Sequence, residues 1–164
     1  AAASEHAGPV FHGTPAYRAP EEILPCPKWR PEDVEGGNLR DASGIGDHNP
    51  AGSKLTEVMP EIRDDEDDVF VHPKKRYSPF LHTDLEFVLD QHDVERLFIA
   101  GVNTNSCVMC TCFEACNRDY ETIVVEECVD SMDGDEFHKW ALRNIEQVLG
   151  SVVSLDEARA AFDV

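Results

Sequence analysis

The chain has 164 residues, of which 41% are hydrophobic and 29% charged, and carries a formal net charge of −19. That length supports one domain with a core of its own, and the composition is that of a folded rather than a disordered polypeptide. The acidic excess argues against a nucleic-acid backbone as partner, and no apolar run reaches the ~20 residues of a membrane span. With no secretory h-region visible, the expectation is a soluble, cytoplasmic protein that binds neither nucleic acid nor membrane.

The opening AAASEHAG reads as the last turns of a helix closing at Gly8. The expectation is a single domain over 1–164 that is incomplete at its N-terminal side. PVFH is a short strand candidate, and residues 13–60, rich in proline and glycine, read as a long loop with a helical turn near Leu55–Met59. Loops of that length are commonly functional covers or disordered.

From Asp68 the pattern becomes regular. VFVH (69–72) is a strand, and TDLEFVLDQHD (83–93) is a helix opened by the capping pair Thr83 and Glu86. LFIAG (97–101) is a buried strand, followed by a helix over Ser106–Arg118 and the strand TIVVEE (122–127). The helix 135–149 places Phe137, Trp140, Ala141, Ile145 and Val148 at helical spacing. SVVS (151–154) is the last strand, and Ser154 with Glu157 caps the final helix. Strands alternating with helices predict an α/β fold with a parallel sheet covered on both faces. Ligands gather at the carboxyl ends of such strands, which here carry VFVHPKKRYSPF and LFIAGVNTNSC.

NTNSCVMCTCFEAC holds four of the six cysteines. A structural zinc site needs two ligand pairs separated by a loop, whereas these four fall on one predicted helix and do not share a face. A disulfide framework does not suit a large cytoplasmic domain. Cys107 and Cys110 match C-x-x-C but lack the usual thioredoxin surroundings. Cys110, Cys112, Cys116 and Cys128 read as small apolar packing residues. Cys107 differs by position, following a strand and a turn at the start of a helix. There the helix dipole and free N–H groups favour thiolate, and the same N–H groups can stabilise an oxyanion.

LFIAGVNTNSCV, EACNRDYETIVVEECVDS and the upstream VFVHPKKRYSPFLHTDLEFVL together resemble the isochorismatase-like cysteine hydrolases, a family that includes nicotinamidase and N-carbamoylsarcosine amidase. The resemblance implies a three-layer, Rossmann-like α/β sandwich with a mainly parallel sheet. It also implies hydrolysis of amide-like C–N bonds through a thioester, by an Asp–Lys–Cys triad. Carried over, Cys107 is the nucleophile, and Lys74 matches the family's lysine by its spacing to Arg76, Ser78 and Phe80, with Lys75 the second choice. A cis peptide is implied at Val102–Asn103, aiming the N–H groups of Asn103 and Cys107 at the oxyanion. The family's aspartate ends an apolar first strand that this sequence lacks, and Asp41 and Asp47 are poor substitutes.

Some relatives bind zinc through an Asp-x-His pair. His12 lacks that spacing and reads as structural or surface, so neither a catalytic metal nor a cofactor is expected. The resemblance further implies a small amide or ureido substrate, with NRDY and HGTPAYR leaning toward the carbamoylsarcosine side, and a homo-oligomer. Two other readings stay open: a non-catalytic interaction or oligomerisation module, and a redox or metal module built on the cysteines.

Overall fold

A computed structural model describes residues 8–22, 49–64, 66–71 and 74–162. The regular part is built on β3 (Arg96–Val102), β4 (Glu121–Asp130) and β5 (Ser151–Val153), a parallel sheet in the order β3-β4-β5. Ile99 lies beside Val124, and Val124 beside Val152. Thr122 to Val125 are all buried, the continuous burial expected of a central parallel strand covered on both faces. Beyond Ile99 the register jumps, so that Gly101 pairs with Val129. Gly101 has φ +121°, a conformation in which a side chain would be strained.

Helix α2 (Met109–Cys116), α3 (Asp135–Val148) and α4 (Leu155–Phe162) follow β3, β4 and β5 in turn. One apolar cluster joins Ile99, Val108, Cys112, Val124, Val129, Leu142, Ile145 and Leu149. The face of α3 therefore differs from the expected one. Ala141, Leu142 and Ile145 are buried, whereas Phe137, Trp140 and Val148 lie exposed. Ser154 and Glu157 form the expected reciprocal cap, with the Glu157 N–H donating to Ser154 Oγ and the Ser154 N–H to Glu157 Oε2. The Ser154 hydroxyl, seconded by that N–H, holds the Glu157 carboxyl below its usual range.

The earlier part is sparser. β1 (Phe11–His12) and β2 (Val69–Phe70) pair in parallel as a second ladder, separate from the first among the described residues. Both are shorter than PVFH and VFVH imply, and His72 lies outside the described residues. Much of the long loop, with Asp41 and Asp47, also lies outside them. A turn of 3₁₀ helix at Lys54–Thr56 stands where a helical turn was expected at Leu55–Met59.

Helix α1 (Leu85–Gln91) binds the two ladders together. Its Leu85 and Leu89 cluster with Val71, Phe80 and Ala115, against which Phe11 and Leu97 pack. Thr83 Oγ1 accepts the Leu85 N–H at 3.1 Å, but Glu86 does not close the expected box. Its carboxylate is drawn to Arg118, 3.1 Å away, because a guanidinium is the stronger partner. The architecture is α/β, parallel sheets flanked by helices. No helix among the described residues is long and apolar enough to cross a membrane.

Candidate active site

Two chain segments meet at the carboxyl ends of the parallel strands. One follows β3. The Val102–Asn103 peptide is cis, and residues Thr104–Val108 then make a single π-helical turn before α2 begins. The wide turn closes through Asn103, whose carbonyl accepts the N–H of Val108 at 3.2 Å and that of Ser106 at 3.1 Å. The expected helix from Ser106 thus starts earlier and wider, and Cys107 lies in the π turn. Such single π turns recur at functional sites. Val108 and Cys112, both buried, root this turn in the apolar cluster and leave Cys107 half-buried.

The other segment follows β2. Lys74 forms a parallel bridge with Pro15, and its carbonyl accepts the Ala16 N–H at 3.2 Å. Its side chain runs inward beside Gly13, where an added Cβ would stand 3.7 Å from Lys74 Cδ. Lys74 is only 4% exposed, and its Nζ donates to Cys107 Sγ at 3.7 Å. A buried ammonium needs an acceptor to meet it, and Cys107 Sγ is the acceptor that faces it.

Lys75, one residue on, turns the other way. Its Nζ lies 2.7 Å from Glu22 Oε2 and 5.6 Å from the centre of the Tyr17 ring, and it donates to the Ala16 carbonyl. The geometry therefore separates the two lysines that spacing left as first and second choice. Ser78 and Phe80, from the same motif, are buried beneath the turn, with the Phe80 N–H donating to Ser78 Oγ at 3.2 Å.

The remaining cysteines sit in unlike surroundings. Cys112 is fully buried, and that burial pushes its thiol up to about 12. Burial raises the Cys110 thiol as well, with Cys107 adding to the effect and Lys74 opposing it. Cys116 is half-buried, and Cys128 is exposed on β4 rather than packed as expected. Cys128 falls where the register with β3 jumps, and that irregularity turns its side chain outward.

His12 ends β1 with Nε2 2.7 Å from Asp68 Oδ2, stacked on Phe70. The Asp64 N–H, with His12 adding, holds the Asp68 carboxyl below its usual range against the cost of burial. Among the described residues no group of three His, Cys, Asp or Glu side chains is arranged to hold a metal ion.

Sequence reasoning missed a polar frame behind Cys107. Thr104 Oγ1 is hydrogen-bonded to His138 Nδ1 at 2.8 Å, and Asn105 Nδ2 donates to Asp133 Oδ2 at 2.8 Å. Ser131 Oγ donates to Asn105 Oδ1 at 2.6 Å, and the Met132 N–H to Asn103 Oδ1 at 3.1 Å. The partners are 26 to 34 residues apart, and no local spacing announces them.

Comparison with known proteins agrees with this fold. The chain is 35% identical over 113 residues to the uncharacterized isochorismatase family protein PncA of Bacillus subtilis, covering 65% of this chain and 61% of that protein. It is 28% identical over 106 residues to the ureidoacrylate amidohydrolase RutB of Variovorax paradoxus, covering 65% and 42%. The crystal structure of N-carbamoylsarcosine amidase from Thermoplasma acidophilum superposes with a TM-score of 0.65 at 25% identity, covering 89% of this chain and 71% of that one. The chain thus spans less than two thirds of the length of the Bacillus subtilis and Variovorax paradoxus proteins. The isochorismatase domain model matches residues 1–157, and the chain belongs to the isochorismatase family.

Proposed function

We propose that the chain carries the thiol centre of an amidohydrolase that cleaves the C–N bond of a small amide or carbamoyl compound. Cys107 Sγ attacks the carbonyl carbon as thiolate. The C–N bond breaks, the amine leaves with the proton that the thiol gave up on ionising, and the acyl group remains on sulfur as a thioester. Water then hydrolyses the thioester, releasing the carboxylic acid and returning the thiol. Lys74 supplies the positive charge that favours thiolate over thiol. The N–H groups of Asn103 and Cys107 are the proposed donors to the oxyanion.

The observation that carries this reading is the 3.7 Å approach of a buried Lys74 Nζ to Cys107 Sγ at the carboxyl ends of parallel strands. The raised thiols of Cys110 and Cys112 favour a single active sulfur over a redox cluster. Two relatives are named for ureidoacrylate and N-carbamoylsarcosine, so small ureido and carbamoyl acids head the list of candidate substrates. Ammonia release from a panel of such compounds tests the proposal. The chain is expected to turn over at least one of them and Cys107→Ala none. Equal release by Cys107→Ala would defeat it.

A further inference from the structure

Three consecutive residues ahead of Cys107 are tied to one short segment, 131–138, between β4 and the first turn of α3. The ties of Asn103 and Asn105 run to Met132, Ser131 and Asp133 and lie partly in solvent. The middle tie is different. The Thr104 side chain is 0% exposed, and its hydroxyl meets His138 Nδ1 at 2.8 Å. Water competes with the outer ties and has no access to the hydroxyl end of this one.

The anchor on the far side is firm. His138 stands about one turn before Ala141 and Leu142, both buried. Leu142 and Ile145 share a cluster with Val108 and Cys112, the residues that root the nucleophile turn. Thr104 opens the π turn, and its carbonyl accepts the Met109 N–H that closes it. A π turn is a rare geometry that seldom extends beyond one turn, so the place of its fourth residue, Cys107, depends on what grips its first.

We propose that His138 is a positioning residue, which acts through Thr104 to fix the Cys107 sulfur beside Lys74. This rests on the hydrolase reading for its turnover arm, whereas the sulfur's placement can be read without any substrate.

The test uses two matched pairs in the full chain. Asn at 138 keeps an amide near the place of Nδ1, whereas Gln moves it out toward the place of Nε2. Ser at 104 keeps the hydroxyl, whereas Val keeps the shape without it. Iodoacetamide labelling at neutral pH, resolved by peptide mass spectrometry, reports Cys107, and protection of buried Cys112 reports an intact fold. His138→Gln and Thr104→Val are expected to slow Cys107 labelling about threefold or more, with His138→Asn and Thr104→Ser staying within about twofold of the parent.

On any substrate the parent hydrolyses, kcat should fall about 10- to 100-fold in the two disrupting variants with KM little changed, and recover in the two conservative ones. Labelling at the parental rate in His138→Gln, faster labelling there, or no difference between Gln and Asn would overturn the proposal. If His138→Gln exposes Cys112, the Thr104 pair decides by the same criterion. A parent that releases no ammonia from any compound defeats the hydrolase reading instead, and the labelling comparison still judges His138.

Discussion

The two parts of the molecule that meet at Cys107 and Lys74 are held together by different forces. Residues 85–162 carry the long strands and helices and bury Ile99, Val108, Cys112, Val124 and Ile145 in one cluster. The described residues of 8–80 contribute strands of two residues each. Beside the apolar contacts of Phe11, Val71 and Phe80, they lean on polar clasps: His12 with Asp68 at 2.7 Å, Lys75 with Glu22 at 2.7 Å, and Arg76 donating to the Glu22 carbonyl at 2.8 Å. Close-packed cores resist deformation, whereas partly exposed ion pairs weaken with salt and pH. The proposed nucleophile therefore inherits its place from the larger apolar cluster, and the proposed lysine from a smaller one reinforced by charge.

The comparison is broken most severely from the packed side. Ile145 is fully buried in the cluster that roots the π turn. Ile145→Ala is expected to cost about 2–5 kcal/mol, read as a lower urea midpoint at unchanged slope. A loss near zero would mean that the core does not carry this half.

On the polar side, Lys74→Ala is expected to cut turnover about 100-fold, while Lys75→Ala lowers it less than about threefold. The contrast follows from Nζ positions, one 3.7 Å from Cys107 Sγ and the other 2.7 Å from Glu22. Steady-state rates for the pair check it, and equal effects or the reverse order would transfer the role to Lys75.

The same division explains what the sequence made legible. In the packed half, local chemistry agrees with the final structure. Alternating apolar strands and helices, the Ser154–Glu157 cap and the turn that ends in Cys107 could all be read within a few residues. In the other half, and wherever partners lie far apart, local reading falters. PVFH and VFVH give shorter strands because only one ladder neighbour pairs with them among the described residues. Glu86 looks like half of a capping box until Arg118, 32 positions later in the sequence, takes its carboxylate. Phe137 and Trp140 sit at helical spacing with Ala141, yet the helix is rotated so that Leu142 and Ile145 face the sheet. The π turn is invisible to a pattern that assumes one residue fewer per closure, and His138 matters through a threonine 34 residues away.

The mildest perturbation sharpens the contrast most. The Glu22 carboxyl is lowered from 4.5 to about 2, chiefly by Lys75 and then by the N–H and guanidinium of Arg18. A carboxyl lowered on folding stabilises the folded chain fully above its unfolded value, and that contribution fades as pH falls through the folded one. Thermal unfolding of the parent and Glu22→Gln should therefore differ by a constant small amount above pH 4.5, with the gap closing toward pH 2. Because the pair lies near the surface, about 1 M salt should shrink the same gap at neutral pH. The deficit of Ile145→Ala has no charge to titrate or screen and should hold under both treatments. Turnover should follow: Lys75 released from Glu22 loosens the turn that carries Lys74, a modest loss that grows with salt in the parent and is already present in Glu22→Gln. A Glu22→Gln gap that persists unchanged at low pH and in high salt would show that packing, not charge, holds the lysine side as well.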